Sequence, residues 1–212
     1  MKQIKHIIWD WNGTLYDDIP ACVETLNAIM KKRNMSPIDI QRYKKLFEFP
    51  VRKYYEKLGF DFAKEDWDDM AHEFMDIYLE KSRGCSLRRN IFTVLESLQK
   101  RGIPMSVLSA LEESLLNKIL AEKGIIQFFE NIKGLSNIYA ESKLDAGREL
   151  IPRLSVQPEQ IIMIGDTDHD FDIAQELGCQ CLLLAGGHQA DERIEQCGCQ
   201  VVYDITTIEN RL

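Results

Sequence analysis

The sequence predicts an α/β fold: a parallel sheet covered by helices on both faces, with a helical insert after the first strand. Three observations carry this expectation. Short apolar runs bounded by turn residues recur at 4–9, 103–108, 161–164, 181–184 and 201–203. Helical patterns separate the later runs, and each is closed by a glycine placed for a left-handed stop: 90–100 by Gly102, 112–123 by Gly124 and 170–177 by Gly178. Strands alternating with helices need crossover connections, and crossovers cover both faces of a parallel sheet. The third observation is that residues 17–85 contain no convincing strand.

Within that insert, Ile19, Cys22, Val23, Leu26, Ile29 and Met30 follow helical spacing. Pro20 is tolerable in the first turn, and Asp18 is the candidate cap. Ser36-Pro37 opens a second helix by the same logic. The stretch 50–58 stops at Gly59, and Trp67, Met70, Phe74 and Ile77 mark one face of a longer helix that ends at Gly84. The expected domains are therefore a core of 1–16 and 86–212 and a helical domain of 17–85.

Composition narrows the partners. The 212 residues are 45% apolar and 9% aromatic, enough for a substantial core, and the formal charge is −8. That charge opposes attraction to nucleic acid or to an anionic lipid surface, because such binding needs clustered Lys and Arg. No apolar stretch approaches the roughly 20 residues that span a bilayer, and the first ten residues carry no leader pattern. A cytoplasmic monomer or homodimer is expected. The six cysteines are expected to be reduced. The Cys179–Cys181 and Cys197–Cys199 pairs adjoin apolar runs, which favours packing over a zinc site.

In open parallel sheets, ligands bind outside the carboxyl ends of the strands. The first strand delivers Asp10 in IIWDWNGTL, the second ends VLSA at Ser109, and MIGD delivers Asp166; a helix beginning near Glu141 offers Lys143. Two carboxylates about 4 Å apart repel by roughly 4 kcal/mol at an effective dielectric of 20, so convergence of Asp10 and Asp166 predicts a cation. Oxygen ligands suit Mg²⁺, which commonly joins carboxylates to a substrate phosphate, and the expected partner is a small phosphorylated metabolite. The run GDTDHDFDIA superficially suggests a calcium loop. Such a loop needs Gly at its sixth position and Glu at its twelfth, where this chain has Phe171 and Leu177. Asp166 is the better ligand, with Asp170 holding a metal-bound water or a neighbouring amide. Asp168 and Asp172 read as helix-cap and surface charges, and His169 as a solvated or supporting group.

The corner Asp10-Trp-Asn12-Gly13-Thr14, then Ser109, Lys143 and Gly165-Asp166-Thr167-x-x-Asp170 resemble, in order and spacing, the four motifs of the haloacid dehalogenase (HAD) superfamily. The likeness spans the whole chain. The insert looks like that family's first type of cap, and FFENIKGLSNIYAESK resembles the corresponding segment of phosphoglycolate phosphatase-like members. The resemblance implies a Rossmann-like core and a Mg²⁺-dependent phosphatase acting on a small phosphate monoester, with phosphoglycolate the leading substrate. It implies that Asp10 forms an aspartyl phosphate. Ser109 and Ala110 with nearby N–H groups would bind phosphoryl oxygens, and Gly13 and Thr14 would shape the turn. Lys143 would neutralise charge. Mg²⁺ would be held by Asp10, the backbone carbonyl of Asn12 and Asp166, with Asp170 behind them. Arg52, in the insert, is a candidate for touching substrate. The family usually has aspartate at position 12, where it protonates the leaving oxygen and activates water. Asn12 has no titratable proton near neutral pH, and positioned acid–base catalysis is worth about 10²- to 10⁴-fold. Two alternatives to a slowed phosphatase follow: a phosphotransferase, and a phosphate-binding regulatory module without turnover.

Overall fold

The computed structural model describes residues 3–211; the outermost core positions, 1–2 and 212, lie outside the described residues. After β1 (His6–Trp9) come four helices, α1 (Ile19–Lys32), α2 (Ile40–Leu46), α3 (Val51–Leu58) and α4 (Trp67–Ser82). The chain continues through α5 (Ile91–Lys100), β2 (Met105–Glu112), α6 (Glu113–Glu122) and β3 (Asn131–Leu135). It finishes with α7 (Leu144–Leu150), β4 (Ile161–Gly165), α8 (Asp168–Glu176), β5 (Gln180–Leu184), α9 (Asp191–Ile194) and β6 (Gln200–Val202).

All strand pairings are parallel, in the order β3-β2-β1-β4-β5-β6. The central strands β1 and β4 are buried along their whole length, which suits their unbroken apolar sequences HIIW and IIMIG. One face of the sheet packs Ile7, Trp9, Val107 and Ile164 against α5 and α6. The other packs Ile8, Leu108 and Met163 against α7 and α8 through Ala146, Leu150 and Ile173. The insert has its own apolar cluster, in which Leu26, Ile29, Tyr54, Met70 and Tyr78 are buried. Its ends lie side by side, since Asp17 N donates to Ser86 O (3.0 Å) and Tyr16 pairs with Leu87.

Several expectations need correction. The second strand does not end at Ser109 but runs on to Glu112, with its register to β3 broken between Leu108 and Glu112. The β3 strand was not among the predicted runs, because it forms the edge of the sheet and interleaves Asn131, Lys133 and Gly134 with its apolar residues. Ser36-Pro37 does not open α2. Asp39 does, its side chain accepting from Arg42 N at 2.7 Å. Asp18 stands at the start of α1 but makes no capping hydrogen bond; its carboxylate turns inward. The cap of α8 is Thr167, with Asp170 completing a reciprocal pair, while Asp168 instead pairs with Arg193 (2.6 Å). Among the described residues no helix is long and apolar enough to cross a membrane.

His6, 3% exposed on β1, shares a hydrogen bond with Ser106 Oγ on β2 at 2.8 Å. Burial pushes its pKa down to about 4. An imidazole that resists protonation when folded supports the fold fully above pH 6.5, and that support is lost as pH falls towards 4. Wild-type protein is expected to lose about 3 kcal/mol through this group across that window, by the roughly 1.4 kcal/mol per pKa unit that links titration to folding. Urea melts at pH 7 and pH 4.5 should show a smaller loss in His6→Gln.

Candidate active site

The order of the sheet reverses between β1 and β4, and at this switch point the loops leaving both strands open a crevice. The register places Trp9 opposite Ile164, and Asp10 N donates to Ile164 O at 2.8 Å. Asp10 and Asp166 therefore leave adjacent strands at the same level. Asp170, in the first turn of α8, comes up beneath them, and carboxylate oxygens of all three lie within 4.8 Å of one another.

Lys143, 2% exposed at the start of α7, ties this group together. Its Nζ contacts Asp10 Oδ1, lies 2.6 Å from Asp170 and donates to Leu108 O at 3.2 Å. Burial disfavours the ammonium, but Asp10 and Asp170 outweigh it and raise its pKa. Burial likewise raises Asp10, with Asp170 and Asp166 adding to the rise and Lys143 opposing it. For Asp170, burial is overcome by Lys143 and the Thr167 hydroxyl, and its pKa is lowered.

The donor set fits a hard divalent cation. Three buried carboxylates crowd together around one ammonium, and burial and mutual repulsion push Asp10 and Asp166 upward, a cost that a divalent cation would relieve. The carboxylates are not equivalent. Asp170 Oδ2 accepts from Asp166 N (3.1 Å), Thr167 N (3.0 Å) and Thr167 Oγ1 (2.7 Å), while its other oxygen faces Lys143. Asp170 thus fixes the turn that carries Asp166. Asp166 is held at Oδ1 by Thr14 Oγ1 (2.7 Å) and at Oδ2 by His188 N (2.6 Å).

Gly13 adopts φ +75°, and a Cβ there would stand 2.4 Å from Asp166 Oδ2. Backbone conformation and space both demand glycine. Gly13→Ala is expected to cost about 1–3 kcal/mol of stability and to displace Asp166. Thermal melts together with a loss of divalent-ion stabilisation would report both effects.

Asn12 lines the same crevice, with its amide bound by two side chains of the insert. Its Nδ2 donates to Asp18 Oδ2 (2.7 Å) and to Tyr78 Oη (3.0 Å). Asp18, fully buried, also accepts from Tyr78 Oη (2.8 Å), Gly13 N (3.2 Å), His188 Nε2 (3.2 Å) and Cys22 Sγ (3.5 Å). Burial would raise its pKa, yet His188 and these hydrogen bonds lower it. Burial disfavours the His188 imidazolium, but Asp18 prevails and raises its pKa. Tyr43 Oη closes the chain at His188 Nδ1, 2.8 Å away. Asp18, Cys22 and His188 are close enough to form a second metal-capable group, but the carboxylate is already satisfied by five donors. It acts as a hub joining the turn after β1, the loop after β5 and helices α1 and α4.

Ser109 and Ala110 line the same crevice, and Ser109 Oγ accepts from Leu111 N at 3.1 Å. Arg52 does not join the other site residues. It lies on the outer face of α3, half-exposed, 3.5 Å from Glu56 and over the Phe62 ring. His169 is not solvated, being half-buried and stacked on Phe49 with centroids 4.5 Å apart. Among the described residues, neither metal-capable group contains Cys179, Cys181, Cys197 or Cys199, which lie at the starts of β5 and β6. The expectations missed His188 and the inward role of Asp18. The signal for His188 was present in LLLAGGHQA: a polar residue just beyond the carboxyl end of a strand, after two glycines.

Residues 7–184 match the family model described as haloacid dehalogenase-like hydrolase. The phosphoglycolate phosphatase of Rhodospirillum rubrum is 24% identical over 212 aligned residues, covering 94% of this chain and 87% of that protein. Tyrosine-protein kinase PtkA of Mycobacterium tuberculosis is 30% identical over 125 residues, 58% of this chain and 43% of that protein. Among solved structures, PtkA superimposes with a TM-score of 0.83 at 21% identity, covering 100% of this chain and 99% of the other. A predicted phosphatase from Clostridium acetobutylicum gives 0.81 at 19%, covering 99% and 98%. These structural likenesses speak to the fold. The family match, which spans most of the chain, establishes that it belongs to the haloacid dehalogenase-like hydrolases and is an enzyme.

Proposed function

We propose that this protein is a Mg²⁺-dependent phosphatase of small phosphate monoesters that works through an aspartyl phosphate on Asp10, slowed by the absence of an acid at position 12. The observation that carries this is the convergence of Asp10, Asp166 and Asp170 at the switch point of the sheet, with Lys143 against Asp10 and Asp170. Asp10 and Asp166, with the backbone carbonyl of Asn12, would hold the ion. Bound there, Mg²⁺ supplies positive charge against the phosphoryl oxygens.

Asp10 attacks phosphorus with one carboxylate oxygen, the P–O bond to the leaving alcohol breaks, and the electron pair departs with that oxygen. Lys143, already against Asp10, balances charge on the nucleophile and the transferring group. Ser109 and the N–H groups beside it bind phosphoryl oxygens. Water then opens the acyl phosphate and returns Asp10. Asn12 assists neither proton transfer, because its amide is held by Asp18 and Tyr78 and does not titrate. The phosphoglycolate phosphatase of Rhodospirillum rubrum makes phosphoglycolate the first ester to assay. The helical insert of 17–85 is read as a cap that closes over the ester.

Without a base for water, phospho-Asp10 should persist, and passage of its phosphoryl group to another acceptor is a second reading. The likeness to a tyrosine-protein kinase favours keeping it. Acid quenching during turnover of ³²P-labelled aryl phosphate is expected to trap covalent phosphate in wild type and none in Asp10→Asn. The value of kcat/KM, which reports formation of the phospho-enzyme, should fall steeply as leaving-group pKa rises. Flat rates with no trapped phosphate would overturn the proposal.

A further inference from the structure

The crevice above Asp10 and the space running from it into the helical insert form one cavity of about 140 Å³. Its walls there are aromatic, supplied by Phe47, Phe49, Tyr54, Tyr55, Trp67 and Phe74. Its basic side chains are Lys143 and His188. Both are engaged: Lys143 with Asp10 and Asp170, His188 with Asp18 and Tyr43. Asp18 and Glu112 also line the space. Among the cations beside these aromatics in sequence, Arg52 pairs with Glu56, Lys57 pairs with Glu48, and Lys53 is exposed; none of the three lines the cavity.

We infer that the ester's organic moiety is neutral and largely apolar, of about the size of one aromatic ring, and that a second anionic group is disfavoured. This deepens the phosphatase reading and rests on it. A carboxylate or second phosphate carried into this space would be stripped of water and meet rings and acids without a free cation. An apolar group gains from the same burial, and with the phosphoryl group seated over Asp10 the rest of the space has room for no more than about one ring. Tyr54 adds a specific mark. It is 1% exposed, lines the cavity, and its hydroxyl has no hydrogen-bond partner among the described residues. A ligand carrying one neutral hydrogen-bonding group would satisfy it. Phosphoglycolate, with its carboxylate, fits this cavity poorly.

The test uses the full chain with Mg²⁺ and two esters of similar leaving-group basicity, 4-methylbenzyl phosphate and 4-carboxybenzyl phosphate. The matching non-hydrolysable phosphonates serve as ligands for titration, followed by Trp67 fluorescence and calorimetry. The methyl compounds are expected to lead by about 100-fold or more, in kcat/KM for the esters and in Kd for the phosphonates. Phe74→Arg should shrink that ratio at least about tenfold by supplying the missing cation. If that variant does not fold, Tyr54→Phe provides the independent check: it should weaken 4-hydroxybenzylphosphonate about tenfold and leave 4-methylbenzylphosphonate unchanged. Equal or better handling of the carboxylate compounds by wild type would overturn the inference. Failure to hydrolyse either ester together with failure on 4-nitrophenyl phosphate, whose leaving group needs no proton, would count against the phosphatase reading, while the phosphonate ratio would still decide this one.

Discussion

Lys143→Met is expected to lower the melting temperature by about 10 °C without metal and to reduce turnover by at least about 10²- to 10³-fold. Lys143 is the one ammonium touching Asp10 and Asp170, all three being at least nine-tenths buried. Methionine nearly preserves the volume, so the effect isolates charge. Removing one partner of a buried ionic group typically costs 3–5 kcal/mol, since the carboxylates left behind have neither water nor a counter-ion. Each kcal/mol moves the midpoint of a domain this size by roughly 2–4 °C. Two further signs follow. Saturating Mg²⁺ should raise the midpoint more in the variant than in wild type, because the added cation relieves more repulsion. Acid should narrow the gap as well. Burial, Asp170 and Asp166 already push Asp10 upward, and without Lys143 nothing opposes them. A carboxyl raised above its unfolded value takes up protons more readily when folded, so stability is regained as pH falls through that raised pKa. Melts at pH 5.5 and 8, with and without Mg²⁺, check all three signs. An unchanged midpoint at pH 8 would show that the three carboxylates do not share their ionisation.

The strand-end rule explains why so much of this site could be read from the sequence. Asp10 and Asp166 each follow a run of apolar residues, and a parallel sheet places such exits at one rim whatever lies between them, whereas Ser109 lies within β2 where its register to β3 breaks. Lys143 lacks that geometric guarantee; it came from motif spacing. The helical insert was legible because its apolar residues keep helical spacing around a separate core. The edge strand β3 was not, since its five residues NIKGL are mostly half-buried and mix Asn131, Lys133 and Gly134 with two apolar residues, too weak a pattern to stand out. Asp18 was misread for a related reason. Aspartate before Ile19-Pro20 has the local form of a helix cap, and only tertiary contacts from residues 12, 78 and 188 turn it inward. Arg52 failed in the opposite sense, because one turn of α3 decides whether a side chain meets the cavity, as Tyr54 and Tyr55 do, or solvent.

That inward Asp18 changes what Asn12→Asp should do. Restoring the acid usual at this position suggests a gain of about 10²- to 10⁴-fold with poor leaving groups, the worth of positioned proton transfer. In this chain, however, the Asn12 amide donates to Asp18 at 2.7 Å, and aspartate would replace a donor with a second anion. Two carboxylates at about 4 Å repel by roughly 4 kcal/mol at an effective dielectric of 20, with the nearby His188 relieving part of it. The single variant is therefore expected to be destabilised by a few kcal/mol at pH 8 and to show little gain in rate. Its folded carboxyl pKa is raised, so stability should recover as pH falls and a shared proton takes the place of the amide hydrogen. Asn12→Asp combined with Asp18→Asn exchanges donor and acceptor and rebuilds the hydrogen bond. This double variant should regain near wild-type stability at pH 8 and exceed wild type by about 10²-fold or more in kcat for alkyl phosphates, with a weaker dependence on leaving-group pKa. The four proteins of the cycle, melted and assayed together, separate the pair's coupling from each residue's own effect. Simple additivity of the two changes would mean that position 12 and Asp18 act independently, and that the amide at position 12 does not owe its place to the acid beside it.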